Sequence, residues 1–92
     1  MRAFNLIGNE ETLTNITTSA STIGSAILVR LLHPNTTNSN VAVVYRLNAS
    51  GTLIGSFSMD HSGPEYVFKD PGDKIYCSAA NEVVAAPVTF MY

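Results

Sequence analysis

The sequence predicts an all-β protein, folded as a single antiparallel β-sandwich of about seven or eight short strands over residues 1–92. Apolar and polar residues alternate with a period of two along most of the chain, which is the spacing of side chains on one face of a strand. Clusters of Gly, Pro and Asn interrupt this alternation about every ten residues. No segment longer than about ten residues has helical periodicity, so an Ig-like or jelly-roll-like sandwich is expected.

The first third of the chain contains three predicted strands. Residues 2–7 form a short strand closed by the Gly8-Asn9 turn, and residues 12–18, rich in Thr and containing Ile16, form a second strand. Residues 19–25 are small and polar, and they predict a loop or a weak strand. Residues 26–32 carry apolar side chains on both faces, which predicts a strand in the centre of a sheet.

A hairpin is predicted in the middle of the chain. Residues 41–47 and 52–59 both alternate, and the loop between them contains Gly51, which can adopt positive φ. In the second strand of this hairpin, Leu53, Phe57 and Met59 are expected to face the core, with serines between them facing solvent. Gly55 has the inward phase, which indicates a close backbone approach or a bulge.

The last third of the chain predicts three more strands. Residues 65–69 alternate around two aromatic residues, and residues 70–73 form a turn in which Gly72 is expected to adopt positive φ. Residues 74–79 form the next strand. Residues 83–92 form the last one, where Pro87 predicts an edge strand or a bulge because proline cannot donate to a ladder.

The composition favours a protein that is held by neighbours. Charged residues make up 13% of the chain, about half of the usual fraction, and the net charge is −2. The five cationic residues are scattered, so the chain lacks the basic patch of a nucleic-acid-binding protein. No signal peptide is visible, and the longest apolar run, residues 26–32, is too short to span a membrane. We therefore expect synthesis in the cytoplasm and no membrane partner.

Few residues have a pattern suited to catalysis or metal binding. His33 and His61 lie beside turns, lack the spacing of a zinc site and are expected to be exposed. The turn at residues 70–73 lacks the ligand spacing of a calcium loop. Cys77, the only cysteine, is in phase with Ile75, and it is interpreted as a small core residue. We expect no enzymatic activity, no cofactor and no metal.

Eight aromatic residues are the remaining candidates for contacts with other molecules. Most of them are in phase with core neighbours, so core packing is their expected role. Tyr76 is out of phase with its buried neighbours, and Tyr92 ends the chain. Together with Phe4 and Phe90, these residues are the predicted interface.

Two runs of the sequence resemble a known group of proteins. Gly51-Thr-Leu-Ile-Gly-Ser-Phe57 and Lys69-Asp-Pro-Gly-Asp-Lys-Ile-Tyr-Cys-Ser-Ala-Ala80 are similar to segments of small β-sandwich virion structural proteins of tailed bacteriophages, especially marine and cyanobacterial phages. The similarity covers residues 22–92. It implies a structural role in the virion, either as a capsid decoration or cement protein or as a neck or tail protein. It implies no catalytic residue.

Three functions follow as expectations. The first is a virion structural protein, present as a homo-oligomer or in many copies and bound to the major capsid protein or to neck or tail proteins. The second is a binding module for host glycans displayed on the particle, which requires exposed aromatic side chains. The third, an enzyme, requires a pocket with converging ionisable groups, and the sequence offers none.

Overall fold

The computed structural model describes residues 4–34, 41–80 and 82–90. This part of the chain contains eight strands and one short 3₁₀ helix at Thr17–Ser19. The strands are β1 (Phe4–Leu6), β2 (Glu11–Thr12), β3 (Leu28–Leu32), β4 (Ala42–Leu47), β5 (Leu53–Met59), β6 (Glu65–Phe68), β7 (Lys74–Cys77) and β8 (Val84–Phe90).

The strands form two antiparallel sheets. The larger sheet has the order β1-β8-β3-β6, and β2 pairs with β8 on the same side as β1. The smaller sheet has the order β5-β4-β7. The all-β sandwich predicted from the alternating pattern is therefore confirmed.

The core lies between the sheets and takes alternate residues from most strands. Its buried members are Leu13, Ile23, Ala26, Val29, Leu31, Ala42, Val44, Met59, Ile75, Cys77, Val83 and Ala85. Cys77 is fully buried, as predicted, and burial raises the pKa of its thiol. The central position of β3, between β8 and β6, is also confirmed.

The predicted strand at residues 12–18 is wrong beyond its first residue. β2 ends at Thr12, and residues Thr17–Ser19 form the 3₁₀ helix. The Thr14 hydroxyl accepts a hydrogen bond from the backbone N–H of Ile16. Such local bonds compete with strand pairing, and Thr and Ser make them readily.

A left-handed segment follows the 3₁₀ helix. Ile23, Gly24 and Ser25 have φ values of 52°, 64° and 59°. Positive φ is unfavourable for β-branched Ile23, whose side chain is fully buried in the core. Ser21 bridges to Ile75 nearby. Residues 19–25 are therefore mainly a loop with a single bridge, as the sequence predicts.

The β4–β5 hairpin contains the predicted turn and a bulge, which is one of the two alternatives that Gly55 indicated. The Asn48 side chain accepts hydrogen bonds from the backbone of Ser50 and Thr52, and Gly51 has a φ of 88°. Arg46 pairs with Gly55 and Leu47 with Leu53, so Ile54 is the extra residue of a bulge.

The bulge changes the face on which Leu53 lies. Its pairing with Leu47 places Leu53 on the side of the sheet opposite to Phe57, and 53% of Leu53 is exposed. The prediction that Leu53 faces the core is therefore wrong. The prediction holds for Met59, which is buried, and Phe57 packs against the core while half-buried.

Pro87 lies in a central strand, so the predicted edge position is wrong. β8 pairs with β3 on one side and with β1 and β2 on the other. The backbone N–H of Ile7 donates to the Pro87 carbonyl, so the Pro87 nitrogen also points toward this second side. It lies where β1 has ended and β2 has not begun, and no ladder donor is needed there.

The turn at residues 70–73 forms, with the backbone N–H of Asp73 donating to the carbonyl of Asp70. Gly72 does not adopt the expected positive φ. Pro71 suits both common turn types, and the type I turn needs no positive φ. A side chain at Gly72 would instead meet Ala49, since its Cβ would lie 3.2 Å from the Cβ of Ala49.

Candidate functional site

The side of the larger sheet that faces away from the core is apolar, and we call it the outer face. Antiparallel pairing places Leu6 opposite Val88, Phe68 opposite Leu28, and both Tyr66 and Ala86 opposite Arg30. Directly paired residues share a face of a sheet. The outer face therefore includes Leu6, Leu28, Arg30, Tyr66, Phe68, Ala86 and Val88.

Large apolar side chains on this face are open to solvent. The exposed fractions are 70% for Phe68, 69% for Leu6 and 37% for Tyr66. Leu28, Ala86 and Val88 are buried in a second hydrophobic cluster, separate from the core. In an ordinary two-layer sandwich the face away from the core is polar, so this apolar face is a candidate contact surface.

The burial of β6 reverses one expectation. Tyr66 and Phe68 were expected to pack in the core, but Val67 faces the core instead. Tyr66 and Phe68 therefore face solvent on the same side of the edge strand β6.

A groove crosses the outer face beside β1. Its volume is about 440 Å³, and it is lined by Leu6, Gly8, Asn9, Glu10, Arg30 and Ala86. Glu10 and Arg30 give it one charged group of each sign beside the apolar side chains of Leu6 and Ala86. A groove of this composition is suited to a protein segment, because it offers apolar area with charged groups for orientation.

The outward side of the smaller sheet is more polar. Ser56 and Ser58 lie on it, and Tyr45 and Tyr76 stack there with ring centroids 4.7 Å apart. Tyr76 is out of phase with the core, as predicted, and it is half-buried against Tyr45. The aromatic ring of Tyr76 is therefore partly covered by Tyr45 of the same chain.

The other residues of the predicted interface remain predictions. Phe4 pairs with Phe90 at the end of β1 and β8, two residues along from Leu6 and Val88. Tyr92 lies outside the described residues. The backbone thus brings Phe4 and Phe90 to the strand pair that carries part of the outer face.

A buried histidine cluster lies at one end of the sandwich, and the sequence did not predict it. His33 is 1% exposed, whereas an exposed loop histidine was expected. Its Nδ1 donates to the backbone carbonyl of Glu82 at 2.8 Å, and its ring lies 4.1 Å from that of His61. His61 is half-buried, and its Nδ1 donates to the carbonyl of His33 at 3.1 Å.

The arrangement of this cluster fixes the orientation of the His33 ring. Because a carbonyl oxygen only accepts, Nδ1 of His33 carries a proton. Its Nε2 has no hydrogen-bond partner among the described residues and lies 3.8 Å from Oε2 of Glu82. The His33 ring therefore connects the end of β3 to Glu82, and its contacts hold these two segments together.

A second polar cluster fixes the turn after β6. Nε of Arg46 donates to Oδ2 of Asp73 at 2.8 Å, and this hydrogen bond is the main reason that the pKa of Asp73 is lowered. Nζ of buried Lys69 donates to the carbonyl of Ala26 at 2.7 Å. Desolvation lowers the pKa of Lys69, and nearby Asp73 partly offsets this effect.

The described residues offer little that could perform chemistry. No group of three or more His, Cys, Asp or Glu side chains among residues 4–34, 41–80 and 82–90 could hold a metal ion. A cavity of about 180 Å³ opens between the sheets beside β5, lined mainly by apolar groups, including those of Val44, Phe57, Val67 and Ile75. Within the same ranges, no helix is long and apolar enough to cross a membrane.

Comparison with known proteins gives no relative. No protein-family model, no curated protein and no solved structure matches the chain.

Proposed function

We propose that the chain is a non-enzymatic structural protein of a virion, most specifically a capsid decoration or cement protein that stabilises the shell through protein–protein contacts. The observation that carries the proposal is the apolar outer face of the larger sheet, where Phe68 and Leu6 are each about two-thirds exposed or more. A protein that works while bound to neighbours can keep such a face, because the neighbours remove it from water.

The energy available from this face is sufficient for a specific contact. A phenylalanine side chain has about 200 Å² of surface, so the exposed 70% of Phe68 amounts to roughly 140 Å². At about 25 cal/mol per Å², its burial is worth at most about 3.5 kcal/mol. Leu6 and Tyr66 add smaller amounts on the same side of the sheet.

The composition also supports a role in an assembly. A charged fraction of 13% leaves much of the surface uncharged, which lowers the cost of desolvating it. A 92-residue chain has a small core, and a partner that binds only the folded state stabilises that state by mass action.

Binding to particles tests the proposal. Purified protein is mixed with emptied heads of the phage that encodes it, prepared without this protein, and the bound fraction is measured by co-sedimentation. Phe68→Ser is expected to weaken binding by about 30- to 150-fold, which corresponds to about 2–3 kcal/mol. Leu6→Ser is expected to act in the same direction.

Ile16→Ser is the matched control. Ile16 is 55% exposed and lies next to the 3₁₀ helix, in a segment bonded to the smaller sheet, where the backbone N–H of Cys77 donates to the carbonyl of Thr14. Ile16→Ser removes a similar amount of apolar surface outside the outer face, so it should change binding less than about two-fold. Saturable binding of the wild type that Phe68→Ser weakens and Ile16→Ser does not supports the proposal. Failure of the wild type to bind heads overturns the cement role.

Two alternatives are distinguished by different measurements with the same variants. A neck or tail protein would bind isolated tails instead of heads, with the same dependence on Phe68. A glycan-binding module is favoured by one observation, the exposure of Phe68 and Tyr66 on one face of β6. In that case Phe68→Ser would abolish signals on a glycan array, and an array without signals would exclude that function.

A further inference from the structure

β5 is an uncharged strand at the edge of the smaller sheet. It pairs only with β4 among the described strands, and its seven residues contain neither a charged residue nor proline. Proteins usually protect an exposed edge strand with charge, proline or a covering segment, because open backbone groups pair with other strands. β5 has a bulge near one end, and the section from Gly55 to Met59 pairs regularly with β4.

The register shows which backbone groups of β5 are open. The backbone N–H of Ser78 donates to the carbonyl of Val43, so Val43 points toward β7. The direction of the backbone N–H and C=O groups alternates along a strand, so those of Ala42 and Val44 point toward β5. Their partners are Met59 and Phe57, which face β4 in return.

Ser56 and Ser58 therefore present their backbone N–H and C=O groups on the outer edge of β5. They are spaced as the hydrogen-bonding positions of an antiparallel ladder. Both residues are exposed. The chemistry that recognises such an edge is another extended strand.

We propose that this edge pairs with β5 of a second copy of the chain, antiparallel and about a two-fold axis at Phe57. Ser56 of one copy then lies opposite Ser58 of the other, and each such pair exchanges two backbone hydrogen bonds. The two smaller sheets become one continuous sheet. Phe57, which is half-buried and lines the cavity beside β5, faces its own copy across the axis.

A second copy fits this edge better than it fits the edges formed by β6 and β7. Two-fold pairing of β5 brings no like charges together, and a two-fold interface uses the same patch on both copies. β6 begins with Glu65, preceded by Pro64. β7 is already bridged by Ser21 at Ile75. The pairing involves copies of this chain alone, so it does not depend on the proposed function.

The mass of the protein in solution tests the pairing. Light scattering after size exclusion is expected to give a dimer for the wild type at high concentration, with dissociation on dilution. Ser56→Pro removes one outward N–H and leaves the β4–β5 ladder intact, since proline is tolerated where an edge N–H faces away. Its measured mass is expected to fall two-fold, to that of the monomer.

Ser56→Thr is the control, because it keeps the backbone donor and a hydroxyl at the same position. It should remain dimeric. Circular dichroism and thermal unfolding identify a Ser56→Pro protein that fails to fold, and the cross-linking experiment below then provides the test. A wild type that is monomeric at every concentration, or a folded Ser56→Pro that remains a dimer, overturns the proposal.

Cross-linking tests the register. Ser56→Cys and Ser58→Cys chains are oxidised separately and as a mixture, and native Cys77 stays unreactive because it is fully buried. In the proposed register the two different cysteines lie about 5.5 Å apart between Cα atoms, within reach of a disulfide. Identical cysteines lie roughly 8 Å apart, beyond that reach.

The expected result is a cross-linked dimer from the mixture and little from either variant alone. Dimers of Ser56→Cys alone, or of Ser58→Cys alone, would overturn the axis at Phe57. Absence of any cross-link would exclude the paired edge. Loss of shell binding with an intact dimer would count against the proposed function only, so the two proposals fail separately.

Discussion

Alanine substitutions at Gly8 and Gly55 are expected to change stability in opposite directions. A Cβ at Gly8 would lie 2.7 Å from Cγ of Pro87, a distance at which one of the two residues must move. Pro87 is buried in the central strand β8, and its ring cannot rotate away. A Cβ at Gly55 would meet nothing within 4 Å. Neither glycine has positive φ.

The magnitudes follow from these environments. Replacing glycine by alanine stabilises by about 0.4–1 kcal/mol through the unfolded chain where the backbone tolerates it. At Gly8 the clash opposes this with about 1–3 kcal/mol, the usual cost of overpacking. Gly8→Ala should therefore be about 0.5–2 kcal/mol less stable than the wild type. Gly55→Ala should be about 0.5–1 kcal/mol more stable than the wild type, because it has the same unfolded-state gain and no clash opposes it.

Urea unfolding monitored by circular dichroism measures both values. The denaturation midpoints should move in opposite directions, and the two melting temperatures should differ by about 4–20 °C for a domain of this size. If Gly8→Ala is as stable as Gly55→Ala, β1 does not pack closely against Pro87. The pairing that brings Leu6 onto the outer face would then be wrong.

Three further substitutions test other parts of the fold. Ser25→Gly should stabilise by about 0.5–1 kcal/mol in thermal unfolding, because Ser25 has a φ of 59°, while Ser50→Gly, at ordinary φ, should not. The pKa of Asp73 is lower in the folded protein than the unfolded value of 3.8, so ionised Asp73 stabilises the fold above that pH, and this stability is lost as the pH falls through the folded pKa. The urea midpoint of Arg46→Met should therefore fall less than that of the wild type between about pH 4 and 2. His33→Ala should cost about 2–4 kcal/mol in urea unfolding, since it leaves a cavity and an unpaired carbonyl.

Local patterns in the sequence predicted most of the strands and several turns correctly, but not the strand at residues 12–18. Alternation identified β3 and β4, and Asn48 and Gly51 indicated the hairpin loop between β4 and β5, because these signals depend on neighbouring residues. Gly55 indicated the bulge in β5. The same local logic failed at Leu53, since one extra residue, Ile54, moved it to the other face.

The outer face could not be predicted from alternation alone. Tyr66, Val67 and Phe68 are consecutive apolar residues, so the pattern does not specify which of them points inward. The fold places Val67 against the core and turns both aromatic residues outward. Which face of an apolar strand is covered depends on the second sheet, and that information is not local.

The histidine cluster required the topology. His33 and Glu82 are 49 residues apart, and His61 is 28 residues from His33. They meet because β3 and β8 pair antiparallel with Leu32 opposite Val84, which places the end of one strand beside the start of the other. Sequence spacing searches for metal and catalytic motifs do not detect contacts of this kind.

The most direct test of the outer face is hydroxyl-radical footprinting of the protein alone and within its particle. Oxidation of Phe68 and Leu6 is expected to be strong in the isolated protein and to fall several-fold in the particle, while oxidation of Ile16 changes little. Equal oxidation of Phe68 in both states would show that the outer face stays in water, and it would contradict the claim that other molecules cover it.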